Sequence, residues 1–483
     1  MSQVRESLKD YLQQAGRLVT VPIGLTMPSH DDIIHPQPMP VRVPPVEDFR
    51  EFFDFLSMQK SNALETMFAG FADVTVSPKT YRDYEHYWNQ SNEEKPHKSF
   101  TRGTYFADGR VDVCKQVVGS EYIGLLVNSV KNNKYVRHFL LGNNICCSDN
   151  RGVVALEELI KTSATVETLY LAGNCIDLDA IAQISTALYK SKVVKQLWLK
   201  RNPLTAMGIR SLSLMLRINT VLRVLDLNNT YVTDEGVKDL FAALSLNNRS
   251  LRKLYLDSND ISFEGCRYIG EYFQKLGQEK GITSLWIGSN RVGNEGTRLL
   301  CAGFLHYPHL KRLNLDGNGL TAQGLTHVCL SLVDSASKEN IRCLNFGAYK
   351  ALRDLRHAPN VFGQGPGVET VIPTLIVLFH HLRKLQVLQL DNCFLTETQV
   401  GQLISSCPGN VLYLDINQKG CGLDFPSKRQ ADELMSTLYQ NVYIHYNRQN
   451  DPQHTFEYLM KYDLQRIRHG KSIEAIESIY RGK

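Results

Sequence analysis

The chain has 483 residues, 43% of them hydrophobic and 21% charged, a balance that excludes disordered, collagen-like and membrane-embedded classes. Its formal net charge of +5 is mild for this length and forms no basic stripe, so no nucleic-acid partner is expected. No window approaches 18 consecutive apolar residues, and the N-terminal "MSQVRESLKDYLQQAGRLVT" is a charged amphipathic start rather than a signal peptide, so neither a membrane span nor secretion is expected.

In chain order, residues 1–20 read as a short helix, and residues 28–45, with six prolines, as an extended linker. "VEDFREFFDFLSMQ" and "SNALETMFAGFADV" predict helices with aromatic faces that pack as a cap. In "FTRGTYFADGRVDVCKQ", Asp108–Gly109 stands between two alternating runs and signals a hairpin. The helix of "SEYIGLLVNSVKNN" follows it. Residues 1–95 are therefore assigned to an N-terminal helical and proline-rich segment with a cap. Residues 96–135 are assigned to a capping hairpin and first helix.

From residue 136 onward a frame recurs. "LRVLDLNNTYVTDEG", "LRKLYLDSNDISFEG", "ITSLWIGSNRVGNEG" and "LKRLNLDGNGLTAQG" keep apolar residues at positions 1, 4, 6 and 11, and mostly Asn at 9. First positions fall at Val136, Val166, Val194, Leu222, Leu251, Ile282, Leu310, Ile341 and Leu385, with a degenerate copy near Leu412. Most steps are 28 to 31 residues, long enough for a strand, a turn, a helix and a return. One such unit cannot bury its own apolar edge, so neighbours must stack into one core. Side chains alternate along a strand, so positions 4 and 6 face that core and positions 3, 5 and 7 face outward. The amides Asn144, Asn174, Asn202, Asn259, Asn290 and Asn318, with Thr230 in the same place, are read as structural, satisfying the backbone where it leaves the strand. Gly208, Gly236, Gly265, Gly296 and Gly324 are read as tight entries into the helices.

This is the leucine-rich repeat signature. The repeats resemble those of the ribonuclease-inhibitor class, and "VKQLWLKRNPL", "LRVLDLNNT" and "DEGVKDLFAAL" are similar to poorly characterised bacterial proteins of that class. The resemblance covers roughly residues 100–420 and implies an α/β solenoid, with a parallel sheet on a concave face, helices on a convex face and a cap at each end. It says little about function, because this scaffold serves many partners. Ran GTPase-activating proteins share the repeat class and use an arginine and an asparagine at the edge of the arc. No Arg here stands in a matching motif, so a GTPase-activating regulator remains an alternative by fold analogy alone.

The frame leaves the outward letters free. Position 5 carries Tyr170, Trp198, Asp226, Tyr255, Trp286 and Asn314, with Lys200, Arg201, Lys253, Asp257, Arg312 and Asp316 around them. Arg137, Lys195, Arg223, Arg252, Lys311 and Arg342 line one edge at position 2. Tyr, Trp and Arg dominate interface hot spots, so Tyr170, Trp198, Lys200, Arg201, Asp226, Tyr255, Asp257, Trp286 and Arg312 are candidates for contact with a folded protein partner bearing acidic groups. The plainer reading is that these rings only cover the strand backbone.

An insertion of about eleven residues, 349–359, precedes Asn360, which behaves as position 9, and Phe362 at position 11. Its Arg353, Asp354, Arg356 and His357 are a second candidate contact surface, weighed against a loop closed by its own Arg–Asp pairs. The repeats are thus bounded at 136–420. Residues 421–483 read as a last helix and strand and a helical tail capping the other end, its basic bias after residue 460 taken as a solvated face.

Catalytic grammar is lacking. "HGKS" at 469–472 has neither the upstream glycine nor the strand of a phosphate loop, and HExxH and GxSxG are absent. His380 and His381 are read as half-buried packing. Asp226, Asp257, Asp316 and Asp391 are spread one per repeat, which argues against an acid/base cluster. Eleven cysteines without a CxxC pair or zinc-ligand spacing predict small core residues in a reduced cell interior, with the Cys146–Cys147 pair expected to leave one thiol exposed. The sequons at Asn89 and Asn248 carry no weight without secretion. The expectation is a cytoplasmic, non-catalytic protein-binding solenoid without cofactor or metal, a purely structural scaffold being the other alternative.

Overall fold

The computed structural model of the chain describes residues 42–58, 97–347, 358–424, 426–447 and 451–480. The predicted helix over 1–20, most of the proline-rich linker, the second aromatic helix and Arg353, Asp354, Arg356 and His357 lie outside the described residues. The chain divides into two compact units, one of residues 1–230 with 474–483 and one of residues 231–473.

The first unit begins with α1 (Glu47–Ser57), whose Phe49, Phe52, Phe53 and Leu56 are buried. Three strands follow, β1 (His97–Ser99), β2 (Thr104–Phe106) and β3 (Arg110–Asp112), paired antiparallel in sequence order. Gly109, at φ 83°, turns β2 into β3, a left-handed conformation that a side chain would strain. Helix α2 (Gly119–Val130) packs on α1, and β3 pairs parallel with β4 (His138–Leu140). The repeats then alternate: α3 (Asn150–Thr162), β5 (Thr168–Tyr170), α4 (Leu178–Lys190), β6 (Gln196–Trp198), α5 (Thr205–Leu216) and β7 (Val224–Asp226). Leu169, Leu197 and Leu225 stand level across three parallel strands, all fully buried.

The second unit continues with α6 (Thr233–Leu246), β8 (Lys253–Tyr255), α7 (Phe263–Leu276), β9 (Ser284–Trp286), α8 (Gly293–Ala302), β10 (Arg312–Asn314), α9 (Ala322–Asp334) and β11 (Cys343–Asn345). After residue 358 come α10 (Val371–His381), β12 (Val387–Gln389), α11 (Glu397–Ser405), β13 (Tyr413–Asp415) and α12 (Lys428–His445). Its six strands run parallel in sequence order. Leu414 of β13 is level with Leu388, so the last frame starts at Val411, one residue before Leu412. Each unit is a solenoid of leucine-rich strand–turn–helix repeats.

The asparagines do what their position predicts. Asn290 Nδ2 donates to the carbonyls of Leu256, Ile287 and Gly288, at 2.9–3.0 Å, and its Oδ1 accepts from the amides of Asn259 and Ile261. Asn360 takes the same role beyond the insertion, donating to Leu315 and Phe346 and accepting from Asn318 and Leu320. The repeat glycines have another cause than the expected tight entry. Gly208, Gly265, Gly296 and Gly324 are helical, and a Cβ there would come within 2.2–3.2 Å of Ile181, Asp234, Phe263 or Asn294 on the neighbouring helix. They let helices approach rather than turn the chain.

Three more expectations change. Cys146 and Cys147 are both buried, because both side chains enter the core beside α3, and burial pushes both thiols up. His380 and His381 are exposed in the last turn of α10, since the apolar face of that helix is made by other residues. Asn248 is buried and its Oδ1 accepts from the amides of Ser250 and Leu251, so it is a structural cap.

The C-terminal region differs most. Helix α12 packs beside α11, as a cap should, but among the described residues no strand follows it. The chain turns back through α13 (Pro452–Tyr458), a π-helical turn over Leu459–Asp463 and α14 (Leu464–His469). Proline at the first turn of α13 suits a position that needs no N–H donor, and the Asp451 side chain caps the amides of Gln453 and His454. Tyr439 meets Phe456, and Tyr446 meets Tyr458, edge to face, anchoring this hairpin to α12.

Candidate interaction site on the sheet face

Positions 3 and 5 of the second unit face away from the helices, and they are occupied. Trp286 stacks on His469 with ring centroids 4.2 Å apart and planes 19° from parallel, and Tyr255 lies 5.8 Å from the same imidazole. Lys253 Nζ donates to the His469 carbonyl at 2.7 Å and to Ser472 Oγ at 2.6 Å. Arg312 Nε donates to the Ile467 carbonyl at 2.6 Å. The two cations thus meet the C-terminal end of α14, where unpaired carbonyls and the helix dipole favour positive charge. Leu464 packs with Cys343 and Val387, and Ile467 and Tyr413 join that cluster.

Gly470 closes the turn at φ 75°. The left-handed backbone favours glycine, and a Cβ there would stand 2.5 Å from Lys253 Nζ and push the lysine aside. The stretch set aside as a failed phosphate loop, His469 to Ser472, is the part of the tail that the sheet face grips.

Beside this grip stand Asp316, Asp391 and Asp415. Asp316 is buried and Asp391 half-buried. Burial, and for Asp391 the neighbouring Asp415 and Asp316 carboxylates, push Asp316 up to about 6 and Asp391 up to about 8. The Arg468 guanidinium opposes both shifts and also acts on Tyr413 and Cys343. One aspartate per repeat had argued against a cluster. The parallel register instead brings successive repeats together, so Asp316, Asp391 and Asp415 feel one another's charge.

The remaining candidates fall as follows. Tyr170, Trp198 and Asp226 in the first unit, and Tyr255 and Trp286 in the second, are all buried rather than projecting into solvent. For the second-unit pair the tail covers the rings, a contact that local sequence does not encode. Lys200 lies 6.0 Å from the Tyr170 ring, and Arg201 Nη2 donates to Asn143 Oδ1 at 3.3 Å. Asp226 Oδ1 accepts from the Asn228 amide, and Asp257 Oδ1 from the Gly288 amide at 2.7 Å and from Asn314 Nδ2.

In the first unit, residues 474–480 meet the edge of the sheet. Arg110, almost fully buried, donates through Nη1 to the Glu477 carbonyl at 2.7 Å while its Nε holds Asp108. Asp112 accepts from Ser478 Oγ and from the Ile479 amide, and Tyr480 Oη pairs with Thr104 Oγ1 at 2.9 Å. Arg110 and Asp112 precede the recurring frame, and the sequence gives no signal that they hold a chain segment.

Among the described residues no helix is long and apolar enough to cross a membrane, and no group of three or more His, Cys, Asp or Glu is arranged to hold a metal ion. All eleven cysteines are free thiols.

A leucine-rich repeat family model matches residues 219–241, 247–270 and 306–329. Over 147 residues the chain is 31% identical to "NACHT, LRR and PYD domains-containing protein 3" of Homo sapiens and 32% identical to its Mus musculus counterpart. Each match covers 30% of this chain and 12% of the length of the relative. Among solved structures, the leucine-rich repeat-containing protein LegL7 from Legionella pneumophila is similar at 19% identity and a TM-score of 0.42, covering 68% of this chain and 96% of that one.

Proposed function

From the premise that this chain is built of leucine-rich repeats, we propose that it is a non-catalytic interaction module, reading a protein partner through the sheet face. One observation carries this reading. Side chains of the face bind main-chain carbonyls, a flat ring and an apolar turn of a polypeptide segment, the tail over residues 464–472. A surface that already solvates and stacks a peptide has the chemistry to take another.

Tyr255, Trp286, Lys253 and Arg312 form the centre of the site, with Asp257 bracing the loop beside it. Tyr170, Trp198, Lys200, Arg201 and Asp226 are the matching positions of the first unit. A helix in nearly every repeat and the repeat length support the ribonuclease-inhibitor type. Eleven free thiols, most of them buried, support a reducing compartment, the cytoplasm.

Photo-crosslinking tests the reading. A photoreactive residue at Lys200 or Lys311 of the full chain, in native lysate, should trap a partner that one at the exposed Met207 or Leu330 on the helices does not. Trp286→Ala, shown folded by circular dichroism, should lose the Lys311 product. Partners trapped only from the helix positions would make the sheet face plain scaffold.

A further inference from the structure

The tail on the second unit has two parts of different character. Residues 451–463 belong to the cap: Phe456, Tyr458 and Leu459 are buried, and the Tyr446 hydroxyl donates to Asp463 Oδ2 at 2.5 Å. Residues 464–473 form an arm whose sheet contacts are specific. They include an apolar patch at Leu464 and Ile467, hydrogen bonds from Lys253 and Arg312, the stacking of His469 on Trp286 and Tyr255, and the Arg468 guanidinium in the field of Asp316 and Asp391.

The recognition chemistry is legible from these contacts. The two cations bind carbonyls, which select a helical turn that ends there, and Lys253 also binds the Ser472 hydroxyl. The Trp286–Tyr255 pair selects a flat ring. Arg468 lies in the field of Asp316 and Asp391, and its Nε is buried with no hydrogen-bond partner among the described residues, so this arm meets the carboxylates imperfectly. The left-handed backbone at φ 75° favours glycine after the ring.

We propose that the sheet face of the second unit is a receptor for a helical turn ending in an arginine, a flat ring and a glycine, and that the chain's own arm, 464–473, is the resident competitor which a partner segment of this chemistry displaces. The proposal rests on the interaction reading above and adds the class of segment recognised. The imperfect seat of Arg468 gives a partner its advantage: a segment whose arginine reaches a carboxylate squarely gains charge-assisted hydrogen bonds that the arm forgoes.

The test uses the full chain and a fluorescein-labelled, amidated peptide of residues 459–473. Gly470→Val unseats the arm without changing the sheet face, and an Arg468→Ala, His469→Ala double variant unseats it by another route should the first fold poorly. Hydrogen exchange should show the arm deprotected in either variant. The labelled peptide should then bind at least tenfold more tightly than to wild type, a gain lost with Trp286→Ala or with an Arg-to-Glu peptide. Unchanged protection of the arm in both variants overturns the proposal, as does an unseated arm with no gain in peptide binding. If the peptide fails while crosslinks from Lys311 still trap a partner, the class of segment is wrong and the interaction reading stands.

Discussion

Lys253 offers the sharpest measure of how firmly the arm is held. Its ammonium makes two hydrogen bonds to the arm, to the His469 carbonyl and to Ser472 Oγ, and it faces the last carbonyls of α14. Hydrogen bonds to a charged group contribute about 1.5–3 kcal/mol each. Lys253 is half-buried and water competes for it, so the pair together is worth about 2–3 kcal/mol. Lys253→Met keeps the stem that covers the strand and removes only the charge. At about 1.4 kcal/mol per factor of ten, the open population of the arm should rise about 30- to 150-fold. Native-state hydrogen exchange reads this directly through the amides of Gly470 and Ile473, bonded to the carbonyls of Arg466 and Gly470. Amides in β8 and β9 should keep their protection, since their partners lie within the sheet. Ser472→Ala on the Lys253→Met background should add almost nothing, because its partner is already gone. An acceleration below threefold at Gly470 and Ile473 would refute the reasoning, since the arm would then be held by packing alone.

Other consequences follow from the same geometry. Asn290→Ala strands two buried amides and three carbonyls, so it should cost about 2–5 kcal/mol, read as a lower urea midpoint; an unchanged midpoint would deny the asparagine its structural role. Asp316 and Asp391 have folded pKa values near 6 and 8, above their unfolded value of about 4, so the folded chain binds more protons and stability should fall as pH rises from about 4 to about 8. Asp391→Asn should flatten that decline in urea midpoints taken at pH 5 and 8, and a decline of the same size would remove Asp391 as its source. Of the eleven thiols, only Cys175, Cys407 and Cys421 are not buried, so a thiol reagent should modify at most three in the folded chain and all eleven in denaturant. Rapid modification of Cys146 or Cys147 would contradict their burial.

The repeats were legible because each repeat writes its own constraints locally. Leu254 and Leu256 face the core by strand alternation, and Asn290 stands where the chain leaves a strand, so spacing alone identifies both. Asn360 was legible across the insertion for the same reason. A second ladder was missed although its spacing is as regular. Asn133, Ser163, Ser191, Asn219 and Asn248 stand three residues before position 1, and each accepts the backbone amide of that first residue. The signal was diluted because Asn and Ser share the role, and serine is common enough to pass unnoticed. The helical glycines were assigned to turns because sequence shows where a glycine recurs but not which neighbour a Cβ would strike.

The occupancy of the sheet face was illegible for a deeper reason. Whether Trp286 meets solvent depends on a segment far along the chain, and nothing in its own repeat differs between the two cases. The basic bias of the tail was read as a solvated face, yet Arg468 lies in the field of Asp316 and Asp391, two repeats apart and adjacent only through the parallel register. Burial of the rings does not by itself separate recognition from packing, since either gives a covered Trp. The polar contacts favour the recognition we propose. Lys253 and Arg312 meet main-chain carbonyls, which any helical turn presents, while side chains are met at Ser472 by Lys253 and at His469 by Trp286 and Tyr255. A surface built solely to be covered needs only apolar side chains, as β11 and β12 supply at position 3 with Cys343 and Val387 where Leu464 lies. In the receptor we propose, the charged and aromatic half of the face is the part that discriminates among segments, and the apolar half the part that holds them.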